Sequence, residues 1–260
     1  MRNSAIGTVL CAVAALALLA ILPRAAMGYL KLLPPTLPPD EYGNILINRT
    51  SVQQGVKPAV FSHWLHRMKY TCRVCHFELE FNMRVNTTEI TEAANKAGRY
   101  CGAAGCHDGK TAFGHTQSNC EKCHNGDRRY GKEKFGRLSR LPAAQFGNAV
   151  SWEDAIDQHT IAPVNYLTVK PSPDIAGVKP FRVAAVWNSI PPPVFSHKKH
   201  TEWLDCNNCH PDIFNLKKNE TKKYIMVNMI TKREYCCVCH LTVAFPMNDC
   251  LRCHPYQQKK

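Results

Sequence analysis

The strongest constraint on this chain is a short cysteine–histidine spacing that it repeats. Five segments read C-x-x-C-H: residues 72–76 (CRVCH), 120–124 (CEKCH), 206–210 (CNNCH), 236–240 (CCVCH) and 250–254 (CLRCH). A sixth, 101–107 (CGAAGCH), has the longer spacing C-x4-C-H. At the chain's own cysteine and histidine frequencies, chance predicts about 0.03 copies of the short form. Zinc sites also use cysteine pairs, but they need four ligands per metal and give no reason for a histidine after every second cysteine. A disulfide scaffold would not need the histidines at all. The six motifs use all but two of the 14 cysteines, Cys11 and Cys237, and Cys237 reads as a bystander beside Cys236.

This spacing has a chemical reason. Two thiols a few residues apart add across the two vinyl groups of a haem, and the next histidine is then held under the iron as its proximal ligand. The attachment thiols are Cys72 and Cys75, Cys101 and Cys106, Cys120 and Cys123, Cys206 and Cys209, Cys236 and Cys239, Cys250 and Cys253. The proximal histidines are His76, His107, His124, His210, His240 and His254. Six covalently attached haem c groups leave about 43 residues of chain for each, so the haems must pack together and supply much of the core.

Six further histidines equal the number of distal positions if every iron is bis-histidine. His63 with His66, and His197 with His200, each occur as F-S-H-x-x-H, the second histidine six residues before a motif cysteine. Residues three apart share a helical face, and each member of a pair is expected to serve a different haem. His115, five residues before Cys120, is a third candidate. His159 ends a short predicted helix that starts at the cap-like Ser151-x-x-Asp154, and it reads either as a distal ligand or as an exposed helix-end histidine. Met83, Met226, Met229 and Met247 compete for the third iron of each half, where methionine would raise the potential.

The chain is internally duplicated. Residues 58–63 (PAVFSH) match 192–197 (PPVFSH) at an offset of 134 that drifts to 130 by the last motif. Each copy runs F-S-H-x-x-H, CxxCH, a spacer, a second haem site, Ala-Phe, then CxxCH, which marks two copies of one unit. The expected organisation is an export segment at 1–28, a lead-in at 29–57, triheme domains at 58–125 and 192–260, and a connector at 126–191. The connector is rich in Lys, Arg, Pro and Gly and is expected to be loop-dominated. Short helices are predicted over 61–69, 90–100, 151–159 and 195–203, with no strand longer than a few residues. The fold class is therefore mostly irregular with short α-helices around a haem-dominated core.

With these motifs in view, residues 41–254 resemble the small triheme cytochrome c domain of bacteria that respire metals. The resemblance rests on F-S-H-x-x-H before CRVCH, then CGAAGCHDGKTAF and CEKCH, with a similar second copy. It implies low-potential haems in a conducting cluster, mostly with bis-histidine ligation. Two departures stand out: C-x4-C-H replaces the usual C-x-x-C-H in the first copy, and CHLTVAF replaces CHDGKTAF in the second.

An electron carrier is thus expected rather than an enzyme, because six-coordinate irons have no vacant site for substrate. The alternative is a multihaem reductase of a small oxyanion with one open haem. A structural or filament-forming subunit is compatible with electron transfer. Expected partners are other cytochromes or a quinol-oxidising membrane complex. The apolar run from Ala5 to Leu22, followed by Ala26-Met27-Gly28, reads as a cleaved signal or a retained anchor, with the body in the periplasm or at the cell surface. A formal charge of +13 normally points to nucleic acid. Here about twelve haem propionates would offset it, so nucleic acid is not expected.

Overall fold

The computed structural model describes residues 32–168, 178–183, 191–216 and 226–255. The export segment, Cys11 and parts of the lead-in and connector lie outside the described residues. Regular elements are short, as expected for a fold of the multihaem cytochrome class. In order they are β1 (Asn44–Ile47), β2 (Ala59–Ser62), α1 (His63–Arg67), α2 (Glu92–Lys96), α3 (Cys120–Cys123), α4 (Trp152–Asp157), β3 (Phe181–Arg182), β4 (Val194–Phe195), α5 (His197–Thr201), α6 (Met226–Lys232) and α7 (Cys250–Cys253). A π-helical turn, Val74–Glu78, and several 3-10 turns fall mainly on or beside the haem motifs.

Each of the four predicted helices is present but shorter than its prediction. In the first, β2 takes the leading residues and α1 starts only at His63. The helix expected over 151–159 stops at Asp157, and its cap differs from the expected one. The Ser151 hydroxyl donates to the Asp154 carboxylate at 2.6 Å instead of accepting from backbone. Helix α6 was not anticipated, since its segment MVNMITK carries no cap or haem signal.

The duplication reaches further upstream than the sequence match. β1 pairs antiparallel with β2, placing Ile45 opposite Phe61. β3 pairs the same way with β4, placing Phe181 opposite Phe195. Each F-S-H-x-x-H helix is therefore launched from a two-stranded ribbon whose first strand has no recognisable repeat in sequence.

The connector is not merely loop. Its residues Leu138, Leu141, Val150, Trp152, Ala155 and Ile161 form one buried cluster with Trp64 from the first half and Trp203 from the second. Its apolar residues are interspersed with charge along the sequence, yet several of them converge in this cluster. Lead-in residues join the same assembly. Trp64 Nε1 donates to Asp40 O at 3.2 Å, Asn148 Nδ2 donates to Pro39 O and Tyr42 O, and Tyr42 Oη donates to Ala244 O at 2.5 Å. Midway along the connector, the Glu78 carboxylate accepts from the Leu167 and Thr168 amides. The two halves are thus cemented by the segments on either side of them.

Candidate functional site

A histidine ligates a metal through one ring nitrogen, and the other usually donates to a fixed acceptor that sets ring orientation. Nine of the 12 histidines show that arrangement toward backbone carbonyls. A carbonyl only accepts, so Nδ1 carries the proton and Nε2 keeps its lone pair. His76 donates to Phe81 O at 2.7 Å and His210 to Phe214 O at 2.7 Å. His107 and His240 donate to Phe113 O and Phe245 O at 3.0 and 2.9 Å. His124 and His254 donate to Lys57 O and Pro191 O at 2.9 and 2.6 Å. All six proximal candidates are therefore oriented in matched pairs, one in each half.

The matched pairs explain sequence features that had no stated reason. The Ala-Phe step of each copy supplies a phenylalanine whose carbonyl receives the second histidine. Its ring packs on the same imidazole, with centroids 4.4 Å apart at His107 and 4.3 Å at His240. Lys57 and Pro191 each stand four residues before the phenylalanine of F-S-H. The last motif of each copy is thereby tied back to the copy's beginning, so each half closes on itself.

The phenylalanine of F-S-H-x-x-H sets both of its histidines. Phe61 meets His63 edge-on (4.8 Å, 87°) and stacks on His66 (4.3 Å, 26°). Phe195 does the same with His197 (5.0 Å, 84°) and His200 (4.3 Å, 24°). His66 and His200 then donate to the serine carbonyls four residues back, Ser62 O and Ser196 O, both at 2.8 Å. His63 donates to Gly43 O at 2.7 Å, whereas the buried Nδ1 of His197 has no partner among the described residues.

These distal candidates face proximal ones. The His66 and His107 rings lie 6.1 Å apart, and the His200 and His240 rings 6.2 Å. Metal–imidazole bonds of about 2 Å put two rings that share one metal about 6 Å apart, so each of the two pairs would hold one iron between its rings. His63 feels the charge of His76, and His197 that of His210. Each F-S-H-x-x-H helix thus offers its two histidines to two different motifs. Burial, helped by neighbouring positive groups, pushes His63 down to about 3, and burial pushes His66 and His240 down to about 4. Burial also raises the thiols of Cys75, Cys101 and Cys239 to about 12. Neutral imidazoles are the ligating form, and the described cysteines form no disulfide with one another. The donor set therefore fits covalent haem.

His115 and His159 are placed differently. His115 meets His107 with ring centres 6.5 Å apart, on an iron site for which His66 already competes. Its buried Nε2 has no hydrogen-bond partner among the described residues. His159 is exposed just past α4 with a left-handed φ of 55°, within the field of Asp157, and is not brought against a proximal histidine. Met83 lines a cavity with His76. Met229 is buried, with Met226 and Met247 packed against it, in a second cluster around the buried Cys237. Cys237 is therefore a core residue.

Three further supports were missed from sequence. Gly43, Lys57 and Pro191 act through backbone carbonyls, which carry no residue-type signal. The long loop of the C-x4-C-H site is organised by Asp108, whose carboxylate accepts from the Gly105, Lys110 and Thr111 amides at 2.7–3.0 Å. Those bonds hold its carboxyl well below the usual range, and the CHLTVAF segment has no such residue. Arg67 lies between the rings of Trp152 and Trp203, at 4.9 and 4.2 Å, and its second-half counterpart is Thr201.

Comparison with known proteins gives the family. The family model described as cytochrome c7 and related cytochrome c matches residues 59–125 and 193–255, both haem-bearing halves. The chain belongs to that family. A solved "c7-type three-heme cytochrome domain" is 34% identical over 36% of this chain and 96% of its own length, with a TM-score of 0.27. The C-terminal hexaheme fragment of GSU1996 is 25% identical over 86% of this chain and 99% of its own, with a TM-score of 0.27. The dodecaheme cytochrome c GSU1996 is 21% identical over 82% and 74%, with a TM-score of 0.28. No curated protein matches the chain. This family member is a multihaem c-type cytochrome, and its homology implies electron transfer through haem c.

Proposed function

We propose that the chain carries six haem c groups, three in each half, and relays single electrons between a respiratory donor and an acceptor outside the cytoplasm. Haem supplies an iron that cycles between ferric and ferrous states. What the chain contributes is attachment at twelve cysteines, orientation of the imidazoles and a common packing that keeps the groups close. The observation that carries the reading is the repeated carbonyl anchoring of the proximal histidines, with the His66–His107 and His200–His240 pairs at axial spacing. Bis-histidine ligation fills both axial positions, lowers the potential relative to methionine, and leaves those irons to outer-sphere transfer.

Metal-respiration partners follow from the same reading: other cytochromes, or a quinol-oxidising membrane complex, on the donor side. The N-terminal apolar run and the covalent haem sites support a periplasmic or cell-surface location, with that run as signal or tether. A specific observation also favours a second reading. His115 turns toward His107 and His159 stays exposed, so the third motif of each half has no histidine set opposite it among the described residues. One open haem there would suit reduction of a small oxyanion.

Haem quantification by pyridine haemochrome, with carbon monoxide added to the reduced protein, separates the readings. Six haems per chain with no carbon monoxide binding is the carrier's result. One reactive haem in six supports the reductase, and no covalent haem overturns both.

A further inference from the structure

The first motif of the first half is docked on the second half. The Arg73 amide donates to Trp203 O at 3.1 Å, and its guanidinium donates to Leu204 O at 2.9 Å and to Thr201 O. The π-helical turn Val74–Glu78 packs on the turn Cys206–Asn208. A single cavity of about 870 Å³ opens along this seam, walled by His76 and Met83 on one side and by Asn208, Tyr235 and Val238 on the other. The thiols of Cys72, Cys209 and Cys239 lie within electrostatic reach of one another, so attachment points of both halves converge.

Arg67 stands beside this convergence. It lies within electrostatic reach of Cys72 and Cys239, one from each half, and between two tryptophan rings. Its Nε is buried with no hydrogen-bond partner among the described residues. Glu153, the nearest acidic influence, is already engaged by Arg252 at 2.9 Å. A guanidinium partly buried between aromatic rings, its Nε sealed from solvent without a partner, is costly unless an anion meets it. Haem propionates are such anions, and a fixed positive charge favours the ferrous over the ferric state.

We propose that electrons cross between the halves at this seam, between the haem on Cys72 and Cys75 and the haem on Cys236 and Cys239, and that Arg67 is the positive group that sets the potential of both. The crossing moves one electron: ferrous iron on one side becomes ferric, ferric iron on the other becomes ferrous, and no proton or covalent bond is exchanged. This rests on the six-haem reading and adds to it the point of transfer.

The test uses full-length holoprotein carrying Arg67→Met or Arg67→Lys. Haem content is measured first, so a failure of the six-haem reading shows there and nowhere else. Haem methyl NMR through a reductive titration then follows each haem. In Arg67→Met the potentials of the Cys72 and Cys239 haems are expected to fall together, and Arg67→Lys is expected to restore them largely, while the haems at His124 and His254 stay put. A shift confined to one half, spread evenly over all haems, or absent overturns the proposal. Should Arg67→Met not load haem, exchange cross-peaks in the partly reduced native protein decide the matter. They are expected directly between the Cys72 and Cys239 haems, and their absence there contradicts the crossing point.

Discussion

The two halves share their histidine clamps and differ in almost everything around them. In the first half, a strand ribbon four residue pairs long precedes the F-S-H-x-x-H helix, His63 is anchored on Gly43 O, and Asp108 organises the loop of the second site. In the second half, the ribbon is two pairs long, His197 has no such anchor among the described residues, and no aspartate takes the place of Asp108. Yet Phe195, His200, His240 and Phe245 reproduce the geometry of Phe61, His66, His107 and Phe113 within a few tenths of an ångström. What repeats is therefore what the haem demands, and what varies is how each half props it up.

That comparison breaks most sharply at the distal ligands. His66→Ala and His200→Ala are each expected to convert one haem to a high-spin, carbon monoxide-binding form, seen in optical and EPR spectra. If only one of the pair does so, the halves are not equivalent at the iron. Next in size is the shared core. Trp203 is 5% exposed and belongs to the second half, yet it packs with Trp64, Trp152 and Ile161. Trp203→Ala should cost about 3–5 kcal/mol in denaturant unfolding and melt both halves together. Two separated transitions would show that the halves are independent.

Acid should act more gently. His63, His66 and His240 are held below their ordinary 6.5, at about 3 to about 4, so the unfolded chain binds protons first. Their contribution to stability is full above about pH 6.5 and is lost as pH falls toward 4 and below. Low-spin absorbance is expected to survive acidification through pH 6.5, because an iron-bound imidazole does not titrate at its ordinary value; loss centred at 6.5 would contradict ligation by these histidines. The smallest effect belongs to Asp108, which is exposed. Asp108→Ala should speed hydrogen exchange at the Gly105, Lys110 and Thr111 amides, leave the second half untouched and barely move global stability.

Much of the site was legible in sequence because haem attachment needs fixed residue types at fixed spacing. The motifs, the proximal histidines and both F-S-H-x-x-H pairs are written in side chains. Orientation is not. Gly43, Lys57 and Pro191 serve through carbonyls that any residue provides, so only their offset from a motif hints at them. The connector's part in the core was not legible for a related reason. Its apolar residues, such as Leu138 and Ile161, follow no regular period, and only the chain path brings them against Trp64 and Trp203. His115 was a candidate by its spacing from Cys120, and His159 stood open between distal ligand and exposed helix end; neither spacing nor a count of histidines carries a direction. One turned toward an iron site that has another claimant, and the other stayed in solvent.

The most direct test of the central claim is low-temperature EPR of the oxidised holoprotein, with haem counted on the same sample. The account predicts six haems per chain, with at least the four served by His63, His66, His197 and His200 low-spin and bis-histidine. Fewer than four low-spin haems, or a low-spin signal undiminished by replacement of both His66 and His200 by alanine, would contradict it.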